Sequence, residues 1–120
     1  MDEFSWFIGL FEGEGCVYAD CRNVVISIAM ADEDVIQRAA KFLNCSYHSV
    51  KPKKEGYKTQ YRTKKNGGAT RGYVYDLLKR MKPHLSSRRQ KQIDTVIYKV
   101  HSKQVKFRKI HSKQVEFNYD

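Results

Sequence analysis

The chain has 120 residues, of which 41% are hydrophobic and 30% charged, enough apolar material for one domain with a modest core. Its 23 basic residues against 13 acidic ones give a net charge of +10 and a pI of about 9.6, which points to a polyanionic partner, nucleic acid ahead of an anionic membrane. No apolar run is long enough to span a bilayer. Three cysteines, Cys16, Cys21 and Cys45, without a C-x-x-C pair, argue against a disulfide framework and a zinc ribbon. With the lack of a basic n-region in the N-terminal MDEFSW, they lead to the expectation of an intracellular protein, in the cytoplasm of a prokaryotic or phage-infected cell or in an organelle.

The first apolar segment predicts a helix over residues 4–13, capped by Asp2 or Ser5. It carries two stripes at helical spacing: Phe4, Phe7, Ile8 and Phe11, and then Trp6, Gly9, Leu10 and Gly13. One stripe can face the core. The second needs a partner, and its glycines leave a groove for close backbone approach.

Alternation predicts a strand over 16–22, with Val17 and Ala19 on one face and Tyr18, Asp20 and Arg22 on the other. After a turn at Asn23, a second strand over 24–30 buries Val24, Ile26, Ile28 and Met30, and turns Val25, Ser27 and Ala29 outward. Asp32 begins a helix to about Leu43 with a stripe of Val35, Ala39, Phe42 and Leu43, ended by Asn44. Residues 46–53 and 57–65 read as a hairpin around Lys54-Glu55-Gly56, with Lys58, Gln60, Arg62 and Lys64 on one face. Thr70 opens a helix containing Tyr73, Leu77, Leu78 and Met81 that stops near Pro83, and Ser86 or Ser87 caps a last helix with Ile93, Val96, Ile97 and Val100 inward.

The charge is concentrated. Residues 51–91 hold fourteen basic and two acidic side chains, interleaved with tyrosines, whereas residues 1–50 hold three and eight. This is the footprint of a phosphate-binding surface. Residues 99–108 and 109–118 are near copies. A ten-residue period turns a helical face by about 80° per copy, so the tail reads as a basic, partly ordered extension over 101–120 that follows a single domain over 1–100. His48, His84, His101 and His111 have no metal-ligand spacing.

The segment Phe7-Ile-Gly-Leu-Phe-Glu-Gly-Glu-Gly15, inside WFIGLFEGEGCVY and followed at once by a strand, resembles the motif of the LAGLIDADG homing endonuclease family. Here Glu12 and Glu14 stand for the two Asp, and Gly13 for Ala, exchanges that keep charge and small size. The resemblance implies an α+β fold of αββαββα type, with helices packed on one face of a four-stranded, antiparallel, saddle-like sheet. It also implies that a chain with one motif acts as a homodimer, through Trp6, Gly9, Leu10 and Gly13. It places the catalytic metal, Mg²⁺ or Mn²⁺, on Glu14 with the backbone of Gly15, and reads Glu12 as structural.

In the family a basic residue near the active site follows a Pro-x-Leu. Pro83-His84-Leu85 puts Arg88 there, with Arg89 beside it; an arginine suits charge stabilisation or water ordering, not general base work. The sheet would read double-stranded DNA through Tyr18, Asp20, Arg22, Ser27, Lys51, Lys53, Lys58, Gln60, Arg62 and Lys64, with Arg89 at its margin. The implied activity is site-specific double-strand cleavage of a long pseudo-palindromic DNA. The alternative is a binding module without cleavage, such as an intron RNA maturase or a DNA-binding regulator. No membrane partner is implied.

Overall fold

The computed structural model describes residues 1–118, with side chains as far as Val105. Helix α1 (Glu3–Glu14) leads into β1 (Gly15–Asp20) and β2 (Asn23–Met30), followed by α2 (Glu33–Leu43), β3 (Tyr47–Val50) and β4 (Gln60–Gly67). Helix α3 (Tyr73–Met81), a 3-10 turn over Lys82–His84 and a long α4 (Ser87–Asn118) complete the chain. The fold is α+β, and its open antiparallel sheet has the order β1-β2-β4-β3.

Asp2 is the residue that caps α1, accepting from the Ser5 amide at 2.8 Å, so Ser5 is the capped residue and not the cap. Phe7 and Phe11 are fully buried, and Phe7 stacks on Phe42 of α2 at 4.6 Å. The sheet gives one face to the helices. Val17, Val24, Ile26 and Ile28 lie in one apolar cluster with Phe7, Phe11, Ile36, Leu43, Leu78 and Ile93. The alternate residues of β1 and β4, among them Tyr18, Asp20, Gln60, Arg62 and Lys64, are exposed on the other face.

Several boundaries and faces differ from the sequence expectation. The first hairpin turns at Cys21-Arg22, with Cys21 at φ 54°, so Arg22 leaves the strand and Asn23 opens β2 opposite Asp20. In α2 the buried stripe is Ile36, Ala39, Ala40 and Leu43, and Val35 is only half-buried. Asn44 does end that helix, in the left-handed conformation. The β3–β4 ladder begins at Val50↔Gln60, so Lys51, Lys53 and Lys58 belong to the connecting loop, while β4 runs on to Gly67.

Gly72, at φ 104°, precedes α3 in place of Thr70, and Val74 takes the buried position expected of Tyr73. The Tyr73 hydroxyl instead donates to the Phe42 carbonyl near the end of α2, and Lys65 donates to the Leu43 carbonyl there, a cation at a helix C-terminus.

Helix α4 is capped at Ser86, whose hydroxyl accepts from the Arg89 amide, and it buries Ile93, Val96 and Val100. It runs beside β1 as far as Gln104, whose amide donates to the Arg22 carbonyl. The backbone of both repeat copies continues this helix to Asn118. Most repeat side chains, including that of His111, lie outside the described ones.

Candidate nucleic-acid interface and metal centre

The motif ends where α1 meets β1. Gly15 is there for steric reasons: a Cβ on it would stand 2.3 Å from the Phe11 ring and 2.7 Å from the Phe11 carbonyl oxygen. The buried Phe11 ring therefore packs directly on the Gly15 backbone, and the chain passes straight from the last helical residue, Glu14, into the first strand.

The two acids of the motif are placed differently. Glu12 reaches the start of α4, where its carboxylate accepts from the Ser86 amide and, at 3.0 Å, from the Ser86 hydroxyl. The Arg89 guanidinium lies 3.7 Å away and donates from Nε to the Glu12 carbonyl. The Ser86 amide bond, then the hydroxyl and the charges of Arg89 and Arg88, hold the Glu12 carboxyl below its ordinary pKa despite partial desolvation. Glu14 is exposed, and no described side chain pairs with it. It ends α1, where the macrodipole disfavours a carboxylate.

Glu12 thus ties the motif helix to α4, and that tie is pH-dependent. A carboxyl with a lowered folded pKa adds stability above its unfolded value, near 4.3, and loses it as pH falls through the folded value. We expect Glu12→Gln to be less stable than wild type at pH 6–7, and the gap to close on acidification from about pH 5 to 3. Parallel melting curves across that range check this; a constant gap would show that charge at Glu12 is irrelevant.

Arg89, read from the sequence as a DNA contact, is 7% exposed. Its Nε and Nη1 are committed to Glu12 and Gln92, and its guanidinium lies 5.3 Å from the centre of the Phe11 ring. It is a fastener between α1 and α4. Arg88 points to solvent.

On α1, Gly9 and Gly13 are exposed, and nothing among the described residues lies within 4 Å of where their Cβ atoms would be. Trp6 and Leu10 are half-buried, and the Arg38 guanidinium covers the Trp6 ring at 4.1 Å from its centre while pairing with Glu3. The centre of the open helix face is therefore the glycine pair, with Trp6 already partly covered by its own chain.

The register assembles the open face of the sheet in rows. Cys16, Ser27 and Lys64 form one, Tyr18, Val25 and Asn66 the next, and Ala29, Arg62 and His48 a third. Ser27 and Val25 are 7% and 3% exposed because β2 is an inner strand and the flanking side chains stand over it. His48, Asn66 and Cys16 share this face and were not among the candidates read from the sequence. The pairing His48↔Arg62 identifies the face of β3, and no local pattern in a four-residue strand could have done so. Asp20 lies at the β1 edge, while Arg62, Lys64 and the loop lysines lie on the β4–β3 side, so positive charge grows away from the motif helix.

Among the described residues no three His, Cys, Asp or Glu side chains converge on a metal position. A hard carboxylate such as Glu14 suits a cation that takes its other ligands from water, phosphate or a second subunit. No helix among the described residues is long and apolar enough to cross a membrane.

This arrangement of motif helix, hairpins and open sheet is a LAGLIDADG architecture. Residues 2–110 match the family model described as a LAGLIDADG-like domain, and the chain belongs to that family. Members of it are homing endonucleases or maturases. No curated protein and no solved structure gives a match.

Proposed function

We propose that the chain is a homodimeric, site-specific DNA endonuclease in which Glu14 binds the catalytic divalent cation, Mg²⁺ or Mn²⁺. The carrying observation is the division between the motif acids: Glu12 is spent on α4, and Glu14 is exposed, with no partner among the described side chains, at the end of a helix whose outer face is open. A second copy seated on Gly9 and Gly13 brings a second Glu14 near the first. Two such carboxylates repel unless cations lie between them. A cation held by Glu14, with the Gly15 carbonyl as a further oxygen donor, would polarise the scissile phosphate and lower the pKa of an attacking water.

The chain's own residues do the rest. Arg88, exposed beside the motif, stabilises phosphate charge. Tyr18, Arg62, Lys64 and Gln60 present donors to base edges and phosphates of a duplex laid on the sheet, and Lys51, Lys53 and Lys58 hold its backbone further out.

The dimer has its own test. Two helical glycines cost about 1 kcal/mol each relative to Ala, and no contact among the described residues explains them. Gly13→Leu should leave the monomer folded and convert a dimer, seen by light scattering, into monomer or aggregate. An unchanged dimer of unchanged stability would remove the helix-to-helix interface.

Cleavage is tested by incubation with the DNA flanking the gene, with and without Mg²⁺. Cut products in Mg²⁺ alone support the endonuclease, and a gel shift that never leads to cutting supports a binding module.

A further inference from the structure

At the β3 edge of the sheet, beyond the Val50↔Gln60 pair, the β3–β4 loop folds back into a cavity of about 320 Å³. The turn Lys54–Tyr57 is closed by the Tyr57 amide donating to the Lys54 carbonyl, with Gly56 at φ 89°. It delivers Tyr57 to the cavity mouth, where the ring lines the opening and yet is 63% exposed. Val50 and Pro52 give the cavity an apolar part. Lys51, Lys53, Lys58 and Arg62 surround it with cations, Gln60 adds an amide, and no carboxylate among the described residues lines it.

We propose that this cavity takes an unpaired nucleotide, its base stacked on Tyr57 and its phosphates held by the lysines. A base inside a duplex is stacked on both sides and shows only its edge, so it can neither enter a concavity nor offer a face to an aromatic ring. Cations alone would serve phosphates. A mostly exposed ring among four cations and an amide matches the sequence-tolerant pairing of stacking and charge by which single strands are held. The nucleotide comes either from a distorted DNA duplex, out of which a base is everted, or from single-stranded RNA. The proposal rests on the open face being a nucleic-acid surface.

The test uses 2-aminopurine, whose fluorescence is quenched by stacking on an aromatic ring. It is placed in a short single-stranded DNA, in the same RNA, in a duplex as an unpaired bulge, and in the fully paired duplex. Wild type should quench an unpaired probe and not the paired one; the DNA and RNA arms identify the source. Tyr57→Ala keeps every charge and, being exposed, should keep the fold. It should abolish the quenching and weaken binding of the unpaired probe by about 5- to 150-fold, while Tyr57→Phe should retain both. Absence of quenching by wild type, or Tyr57→Ala binding and quenching like wild type, would overturn the site. Wild type that binds paired DNA without quenching any unpaired probe refutes the cavity and leaves the endonuclease reading intact. Quenching of an unpaired probe without binding to paired DNA does the reverse.

Discussion

Glu14→Gln is expected to abolish cutting by several orders of magnitude while leaving DNA binding nearly unchanged. The substitution keeps the size and shape of the side chain and removes the charge that would hold the cation, and with it the Lewis acid that would polarise the phosphate. Binding persists because the cations of β4 and the β3–β4 loop lie across the sheet from the motif helix. Folding persists because no described side chain pairs with Glu14. A dimer should become more stable, since two facing carboxylates at helix C-termini no longer repel. Glu12→Gln should behave in the opposite sense, because its carboxylate joins α1 to Ser86 and Arg89. Cutting rates in Mg²⁺ beside gel shifts in Ca²⁺ read both effects. Near-wild-type cutting by Glu14→Gln would reject it as the metal ligand, and loss of fold and binding together would make it structural.

Gly15→Ala is expected to be the most damaging single methyl in the motif. The new Cβ would stand 2.3 Å and 2.7 Å from Phe11 ring carbons and 2.7 Å from its backbone oxygen. The ring cannot move aside, because Phe11 is fully buried in the main apolar cluster. Overpacking of this kind costs about 1–3 kcal/mol, and more where the backbone must shift. A fall in Tm of roughly 5–15 °C should follow in a domain of this size. Gly9→Ala is the control: its Cβ would meet nothing among the described residues, and helix propensity alone would raise monomer stability by up to about 1 kcal/mol. Equal Tm values for wild type and Gly15→Ala would show that the α1–β1 junction yields more easily than its packing implies.

What the sequence made legible follows from local chemistry. The cap at Asp2, the left-handed stop at Asn44, the stop near Pro83 and the inward faces of β1 and β2 are each written in a few adjacent residues. The family was legible from nine residues, because its glycines and acids have steric and electrostatic duties that few other side chains fill. The misses are contacts between distant segments. Arg89 belongs by sequence to the basic stretch, and its burial depends on Glu12, 77 residues away. Lys58 alternates as a strand residue would, but the ladder ends at Val50↔Gln60 and leaves it unpaired. In α2, Val35 and Ile36 fit the apolar pattern equally, and the orientation of the helix on the sheet buries Ile36.

The central claim is that two copies of this chain cut one duplex at a two-fold site. Mapping the ends left on both strands of a cognate DNA after incubation in Mg²⁺ tests it most directly. The account predicts one cut per strand, the two related by the dyad of a pseudo-palindromic sequence and staggered across the minor groove, and none in EDTA. Tight, Mg²⁺-independent binding with both strands left whole would contradict it.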